Sequence, residues 1–234
     1  LEALALQETL TGIEFENCLE IGCGTGKNTA WLLTKAKKIT AVDLSTEMLA
    51  KAKEKINSDK VNFIQADILK DWDFVYIKYD LTTFSLVLEH IENLERVFEK
   101  VSKLISGSGH VYIGELHPFK QYTGSKARFT TEEGEQVVTC FHHHISDFTK
   151  AAKKYGFTLM HINEYFDEVV ESNVIPILLH ENSPMPYLRD KSLYLGVAMR
   201  KKEFQYESKF AIIEIPSRAV VRFVLLPSED KAEK

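Results

Sequence analysis

The stretch Leu19-Glu20-Ile21-Gly22-Cys23-Gly24-Thr25-Gly26 decides the fold: an apolar strand carrying one acid runs straight into three glycines at alternate positions. Those glycines let the backbone bend sharply and approach a ligand with no Cβ in the way. Three nucleotide-binding turns compete for such a segment, and spacing separates them. A dinucleotide fingerprint needs G-x-G-x-x-G, yet counting from Gly22 and Gly24 the third glycine falls on Lys27. A P-loop needs four residues between its first glycine and Gly-Lys, then Ser or Thr; here three residues separate Gly22 from Gly26, and Asn28 follows Lys27. What remains is an acidic strand end followed by G-x-G-x-G.

Outward from this turn the chain keeps a βα rhythm of short apolar runs, turns and helical patterns. The pattern predicts a helix over Leu1–Leu10, a strand over Asn17–Gly22, a helix from Gly26 to Thr34 and a strand over Lys38–Asp43. Ser45 then caps a helix running to about Ile56, with Met48, Leu49 and Ala52 on its buried side and Glu47 in its first turn, as the helix dipole prefers. Strands follow at Val61–Gln65 and Tyr79–Leu86. A helix over Leu94–Ile105 carries Val97, Val101 and Leu104 at core spacing, and Gly107-Ser108-Gly109 turns into a strand over His110–Glu115. Such a rhythm predicts a parallel sheet with helices on both faces.

Residues 116–145 break the rhythm with His117-Pro118-Phe119, Gly124 and Gly134, and read as a substrate-side insertion or lid over the sheet edge. Phe148–Tyr155 reads as a helix ended by Gly156, and Phe157–Tyr165 and Ser192–Met199 as two further strands. Beyond Lys202, Phe210–Ile215 and Ala219–Leu226 flank Pro216-Ser217-Arg218 and read as a hairpin, before a charged end from Ser228 expected to be disordered. The expected organisation is one domain over residues 1–202 and a C-terminal β extension over 203–234.

The acidic strand and G-x-G-x-G turn resemble motif I of class I S-adenosylmethionine-dependent methyltransferases, in the type 11 group that includes ubiquinone and menaquinone biosynthesis enzymes. The resemblance implies an α/β, Rossmann-like fold with a seven-stranded, mostly parallel sheet. It implies that the cofactor lies across Gly22, Cys23, Gly24 and Gly26, with Glu20 lending negative charge near its amino group. Asp43, twenty-one positions after Gly22 at a strand end, looks like motif II, whose carboxylate accepts from the ribose hydroxyls; by itself it also suits a helix cap. Leu44 and Met48 match the apolar residues that line the adenine. Asp67 and Ile68 match the next strand end, where an acid reaches the adenine amino group; an exposed turn is the alternative. The run Asp80 to Ile91 is similar to the motif IV region, which would set Phe84, Ser85 and Leu86 beside the methionine portion. The similarity is good over residues 17–115 and looser to 200.

A sulfonium is already a good leaving group, so in-line methyl transfer chiefly requires an acceptor held in line, with a general base where the nucleophile is weak. Candidate bases or substrate contacts are His90, which matches a histidine frequent in that group, and His117, Tyr122, His142, His143 and His144 in the insertion. Adjacent histidines on an extended segment point to alternate faces, so at most two of the run converge, and no metal site is expected. Cys23 reads as a small turn residue rather than a nucleophile.

The composition is that of an ordinary globular domain, 44% apolar and 27% charged in 234 residues. A net charge of -5 argues against a nucleic-acid partner, and the lysines at 35, 37, 38, 51, 53 and 55 read as solvated helix faces. Cys18, Cys23 and Cys140 fit a reducing compartment, and no apolar run approaches the ~20 residues of a membrane span, so a cytoplasmic setting is expected. The chain opens on Leu1, which leaves room for a preceding segment. The expected partner is a small-molecule acceptor, on a monomer or homodimer. The competing functions are a Rossmann-type NAD(P)-dependent oxidoreductase and a non-catalytic cofactor-binding or interaction module.

Overall fold

Cys18 and Leu19 are neighbours in β1 (Asn17–Ile21), yet they pack into different apolar clusters on opposite faces of the sheet. Side chains alternate across a strand, and the same split recurs at Ala41 and Val42 of β2 (Lys38–Asp43) and at Tyr112 and Ile113 of β5 (Ile105–Leu116). Strands buried on both faces need helices on both, which is why a near-continuous apolar run signals a parallel sheet. In this computed structural model the described residues are 2–122, 124, 128–131, 134–166, 174–178, 210–214 and 219–227.

One cluster gathers Leu6 and Leu10 from α1 (Glu2–Leu10) and Leu32 at the end of α2 (Lys27–Leu32). The other gathers Leu94, Val97, Phe98, Val101 and Leu104 from α4 (Leu94–Leu104) with Phe148 and Ala151 from α6 (Ile145–Lys154). The apolar stripe of α4 recurs at helical spacing, so one face is driven onto the sheet and the charged face stays wet. Phe98 meets Phe157 of β8 (Phe157–Phe166) edge to face, with centroids 6.1 Å apart.

Parallel pairing runs β3 (Val61–Gln65), β2, β1, β4 (Tyr79–Ser85), β5, so β1 and β4 are central and the chain reverses its direction of travel between them. Ligands in open α/β sheets bind outside the carboxyl ends of strands at such a switch point. Ser45 caps α3 (Thr46–Lys55) by accepting from the N–H of Met48 at 3.1 Å, as its place in the sequence predicts. A single 3₁₀ turn (Leu88–His90) follows β4. The expected insertion holds α5 (Pro118–Tyr122) and an antiparallel pair, β6 (Arg128–Thr131) and β7 (Gly134–Val137).

The tail departs from the sequence expectation. Residues 210–215 and 219–226 do not pair with each other as a hairpin. Instead β10 (Phe210–Glu214) pairs antiparallel with β9 (Val174–Leu178), while β11 (Ala219–Pro227) pairs antiparallel with β5 and lies between β5 and β8 in the sheet. The reason is edge satisfaction: the outer edge of β5 carries a row of N–H and C=O groups, and six consecutive residues of β11 meet it. A lone two-stranded hairpin offers much less. The chain falls into two compact units: one holds the described residues through Tyr165 with β11 from Val220, the other holds β9 and β10. The expected strand over Ser192–Met199 and the charged end from Ser228 lie outside the described residues. Among the described residues no helix is long and apolar enough to cross a membrane.

Candidate functional site

The glycine turn is anchored from below. Val42 O accepts from Gly22 N at 2.8 Å and Cys23 N at 3.0 Å, which ties the end of β1 to β2. Gly22 has φ 75°, and a Cβ there would lie 2.1 Å from Val87 Cγ2, so no side chain fits. Gly24 is the opposite case: its φ is 53°, and a Cβ would meet nothing within 4 Å. The space over Gly24 is open, at the carboxyl ends of β1 and β2. Cys23 is buried, and burial pushes its thiol well above the ordinary range, which suits a turn residue and not a nucleophile.

Asp43 closes the other side. Its Oδ2 accepts from Gly24 N at 2.8 Å and its Oδ1 from Ser45 N at 2.9 Å, so one carboxylate fixes both the turn and the start of α3. Each oxygen has a second lone pair for a further donor. Following Asp43, Leu44 is 65% exposed and Met48, in the first turn of α3, 38%, two apolar side chains left in water. Asp67 is half-buried and its Oδ1 accepts from Leu69 N at 2.9 Å; Ile68 packs against the core and its carbonyl accepts from Trp72 Nε1 at 2.9 Å.

Glu20 is buried under the turn and accepts from the Thr29 hydroxyl at 2.6 Å. Burial raises its carboxyl from 4.5 to about 8, partly offset by the Thr29 bond and reinforced by the negative charges of Glu2 and Asp43. Asn28 stands beside it on α2. Its Nδ2 donates to Ser85 Oγ at 3.2 Å and to Glu2 Oε2 at 3.3 Å, while its Oδ1 is buried with no partner among the described residues. An unpaired buried acceptor is costly, so it marks a place where a donor is missing.

At the end of β4 the candidates separate. Phe84 turns into the core among Leu88, Val97 and Ile113, so its ring is packing and only its backbone lies at the strand end. Ser85 faces Asn28. Leu86 has φ 57°, the sole non-glycine residue with positive φ among the described residues, and is 42% exposed; its N–H donates to Gly114 O at 2.7 Å. Such a backbone costs about 1–2 kcal/mol and persists only when its surroundings impose it. Beneath it the buried Glu115 accepts from the N–H groups of Leu88 (2.8 Å), Val87 (3.0 Å) and Glu89 (3.2 Å), which pins the 3₁₀ turn. Burial raises Glu115 from 4.5 to about 8.

The histidines fall into two groups. His117 is buried; its Nδ1 accepts from Phe119 N at 3.1 Å, which leaves Nε2–H to donate to Glu164 Oε1 at 2.7 Å. Both ring nitrogens are engaged, Nδ1 with the start of α5 and Nε2 with β8, which gives His117 a structural part at the end of β5. His143 also turns inward, donating from Nε2 to Ile91 O at 2.7 Å and lying edge-on to Phe148. His90, in contrast, is held through one nitrogen: Nδ1 lies 2.9 Å from Thr139 O, so it carries the proton, and Nε2 keeps its lone pair 3.9 Å from the buried Glu89. Tyr122 stacks on His142 with centroids 5.5 Å apart, and its hydroxyl lies 3.0 Å from His144 Nε2. No group of three or more His, Cys, Asp or Glu among the described residues is arranged to hold a metal ion.

Residues 19–113, which contain the turn, Asp43, Asp67, the β4 end and the 3₁₀ turn, match the family described as "Methyltransferase domain". Over these residues the chain matches a methyltransferase domain, and its fold is that of S-adenosylmethionine-dependent methyltransferases of known structure. The malonyl-[acyl-carrier protein] O-methyltransferase of Priestia megaterium is 38% identical to this domain over 93 residues, 39% of this chain and 33% of that protein. The S-adenosylmethionine dependent methyltransferase of Mesorhizobium loti shares the fold with a TM-score of 0.62 at 18% identity, covering 94% of this chain and 96% of that one. A second match follows the first in the chain: residues 159–234 match the family described as "Polyphosphate kinase middle domain". The polyphosphate kinase of Vibrio cholerae is 38% identical over 69 residues, 29% of this chain and 9% of that protein. The chain therefore spans well under two thirds of either curated relative.

The second match takes in β11, so a strand from the polyphosphate-kinase-like segment lies in the sheet of the methyltransferase domain. The sequence reading missed this segment because its apolar runs and prolines carry no motif at fixed spacing. It also missed Glu2, Asn28, Thr29, Glu89 and Glu115 around the methyltransferase site. Only Glu115, an acid in an apolar strand, carried any signal.

Proposed function

We propose that the protein transfers a methyl group from S-adenosylmethionine to a small-molecule acceptor by in-line displacement. The observation that carries this is the open space over Gly24 beside the Asp43 carboxylate, followed in the chain by the exposed Leu44 and Met48. The residues present fit the cofactor. Asp43 has lone pairs for ribose hydroxyls, Leu44, Met48 and Ile68 offer apolar surface for the adenine, and Asp67 can accept from its amino group. The unpaired Oδ1 of Asn28 and the buried Glu20 supply acceptors for an ammonium group, beside Ser85 and Leu86. Gly22, Cys23, Gly24 and Gly26 supply close backbone. When bound, the cofactor supplies an electrophilic methyl carbon on a sulfonium leaving group.

His90 is the group best placed to take a proton from the acceptor. Its Nδ1 is engaged by Thr139 O at 2.9 Å, which orients the ring and directs Nε2 away from that bond. His142, His144 and Tyr122, which lie against one another, are the further candidates for contacts with the acceptor. The experiment is a thermal shift in which S-adenosylhomocysteine and NAD are compared at equal concentration. Stabilisation by S-adenosylhomocysteine alone supports the assignment; stabilisation by NAD alone rejects it in favour of an oxidoreductase.

A further inference from the structure

We propose that Tyr122, His142 and His144 form a stacking platform for the acceptor, and that the acceptor is a planar aromatic ring bearing a hydroxyl group; the word acceptor rests on the methyltransferase assignment, the ring-binding site does not. Tyr122 is 56% exposed although its ring lies 5.5 Å from His142 at an interplanar angle of 27°, and 5.8 Å from His144. Alternation along the extended segment puts residues 142 and 144 on one face while His143 turns inward. Three rings thus share one exposed surface, and a large part of Tyr122 remains open to a fourth.

The platform is held in place by the site. Glu89 O accepts from Phe141 N at 2.7 Å, Ile91 O from His143 Nε2 at 2.7 Å, and Thr139 O from His90 Nδ1 at 2.9 Å. From the other side Gln121 Nε2 donates to Glu89 Oε2 at 3.4 Å. Segment 139–143 and α5 are therefore both fastened to residues 89–91, immediately beyond β4. Rings ordered in advance lose little freedom on binding, and π-faces favour an offset-stacked planar guest over a saturated one of equal size. The hydroxyl follows from the platform itself: the Tyr122 oxygen, 3.0 Å from His144 Nε2, keeps a lone pair that can accept its proton.

Titration of the full chain with 2-naphthol, followed by its own fluorescence, with and without S-adenosylhomocysteine, tests the platform. Saturable binding is expected, with the saturated analogue 2-decalol at least about tenfold weaker, a difference of about 1.4 kcal/mol. Tyr122→Ala and His142→Ala should each weaken 2-naphthol about tenfold and leave S-adenosylhomocysteine affinity within about twofold, while Tyr122→Phe keeps most of the binding. Absence of saturable binding, equal binding of 2-decalol, or unchanged binding by Tyr122→Ala overturns the proposal. If 2-naphthol binds as expected but S-adenosylhomocysteine does not, the platform stands and the methyltransferase assignment falls; the reverse pattern keeps the assignment and removes the platform.

Discussion

The N–H of Gly24 donates to Asp43 Oδ2 at 2.8 Å, so the acid that ends β2 braces the middle of the glycine turn that follows β1. Asp43 accepts from Ser45 N as well, and its removal costs two charge-assisted bonds before any ligand is considered. Asp43→Ala should lower stability by roughly 2–4 kcal/mol and weaken S-adenosylhomocysteine at least about tenfold. Chemical denaturation and calorimetric titration read the two effects separately. A variant that loses stability but binds normally would remove Asp43 from the cofactor site.

Gly22 and Gly24 should fail in different ways. Gly22→Ala drives a methyl into Val87 at a positive φ, so it should cost several kcal/mol, the sum of ~1–2 for backbone strain and ~1–3 for overpacking. Gly24→Ala meets open space and should cost only the strain, ~1–2 kcal/mol, yet fill the ligand's room and weaken cofactor binding more than its stability loss explains. Melting temperatures and cofactor titration on both variants give the comparison. Equal losses of stability would contradict it.

Glu20 and Glu115 set a pH dependence of stability. Burial raises each carboxyl from 4.5 to about 8. In both, the folded value exceeds the unfolded one, so the protonated form is favoured by folding: the contribution is full below pH 4.5 and is lost as pH rises through 8. The melting temperature should therefore fall between pH 5 and pH 8, and Glu115→Gln should flatten that slope. An ammonium group favours the ionised Glu20, so cofactor affinity should increase over the same range, with proton release visible as a buffer-dependent binding enthalpy. A slope unchanged in both Glu20→Gln and Glu115→Gln would remove these groups as its source.

His90 and His117 should separate as a chemical and a structural residue. His90→Ala should lower kcat by about 10²–10⁴, leave cofactor affinity nearly unchanged, and cost only the roughly 0.5–1.5 kcal/mol of its bond to Thr139 O. His117→Ala breaks the link to Glu164 and leaves a buried cavity, so it should cost about 1–3 kcal/mol of stability. Unchanged kcat in His90→Ala would exclude it as the base.

Removal of the chain after residue 218 should destabilise the methyltransferase domain, because the outer edge of β5 from Val111 to Leu116 loses its partner. Hydrogen exchange at residues 111–116 reads this directly. Full protection in the shortened chain would show that another segment covers the edge.

The sequence by itself determined the parallel α/β core and the positions of the glycine turn and of Asp43 and Asp67 at strand ends, because these are local. Glycine spacing, a carboxylate at a strand end and the Ser45 cap each depend on a few consecutive residues, and in the structure Asp43 braces Gly24 while Leu44 and Met48 stay exposed. The end of β4 was readable only in part, since whether Phe84 faces the ligand or the core depends on which face of β4 is covered by α4. Tertiary structure alone decided which histidine keeps a free nitrogen, because His90 and His117 differ only in partners far along the chain, Thr139 and Glu164. It also decided where the tail strand goes. The composition of residues 219–227 permits a hairpin or a place in the sheet, and the unpaired edge of β5 supplies the stronger partner.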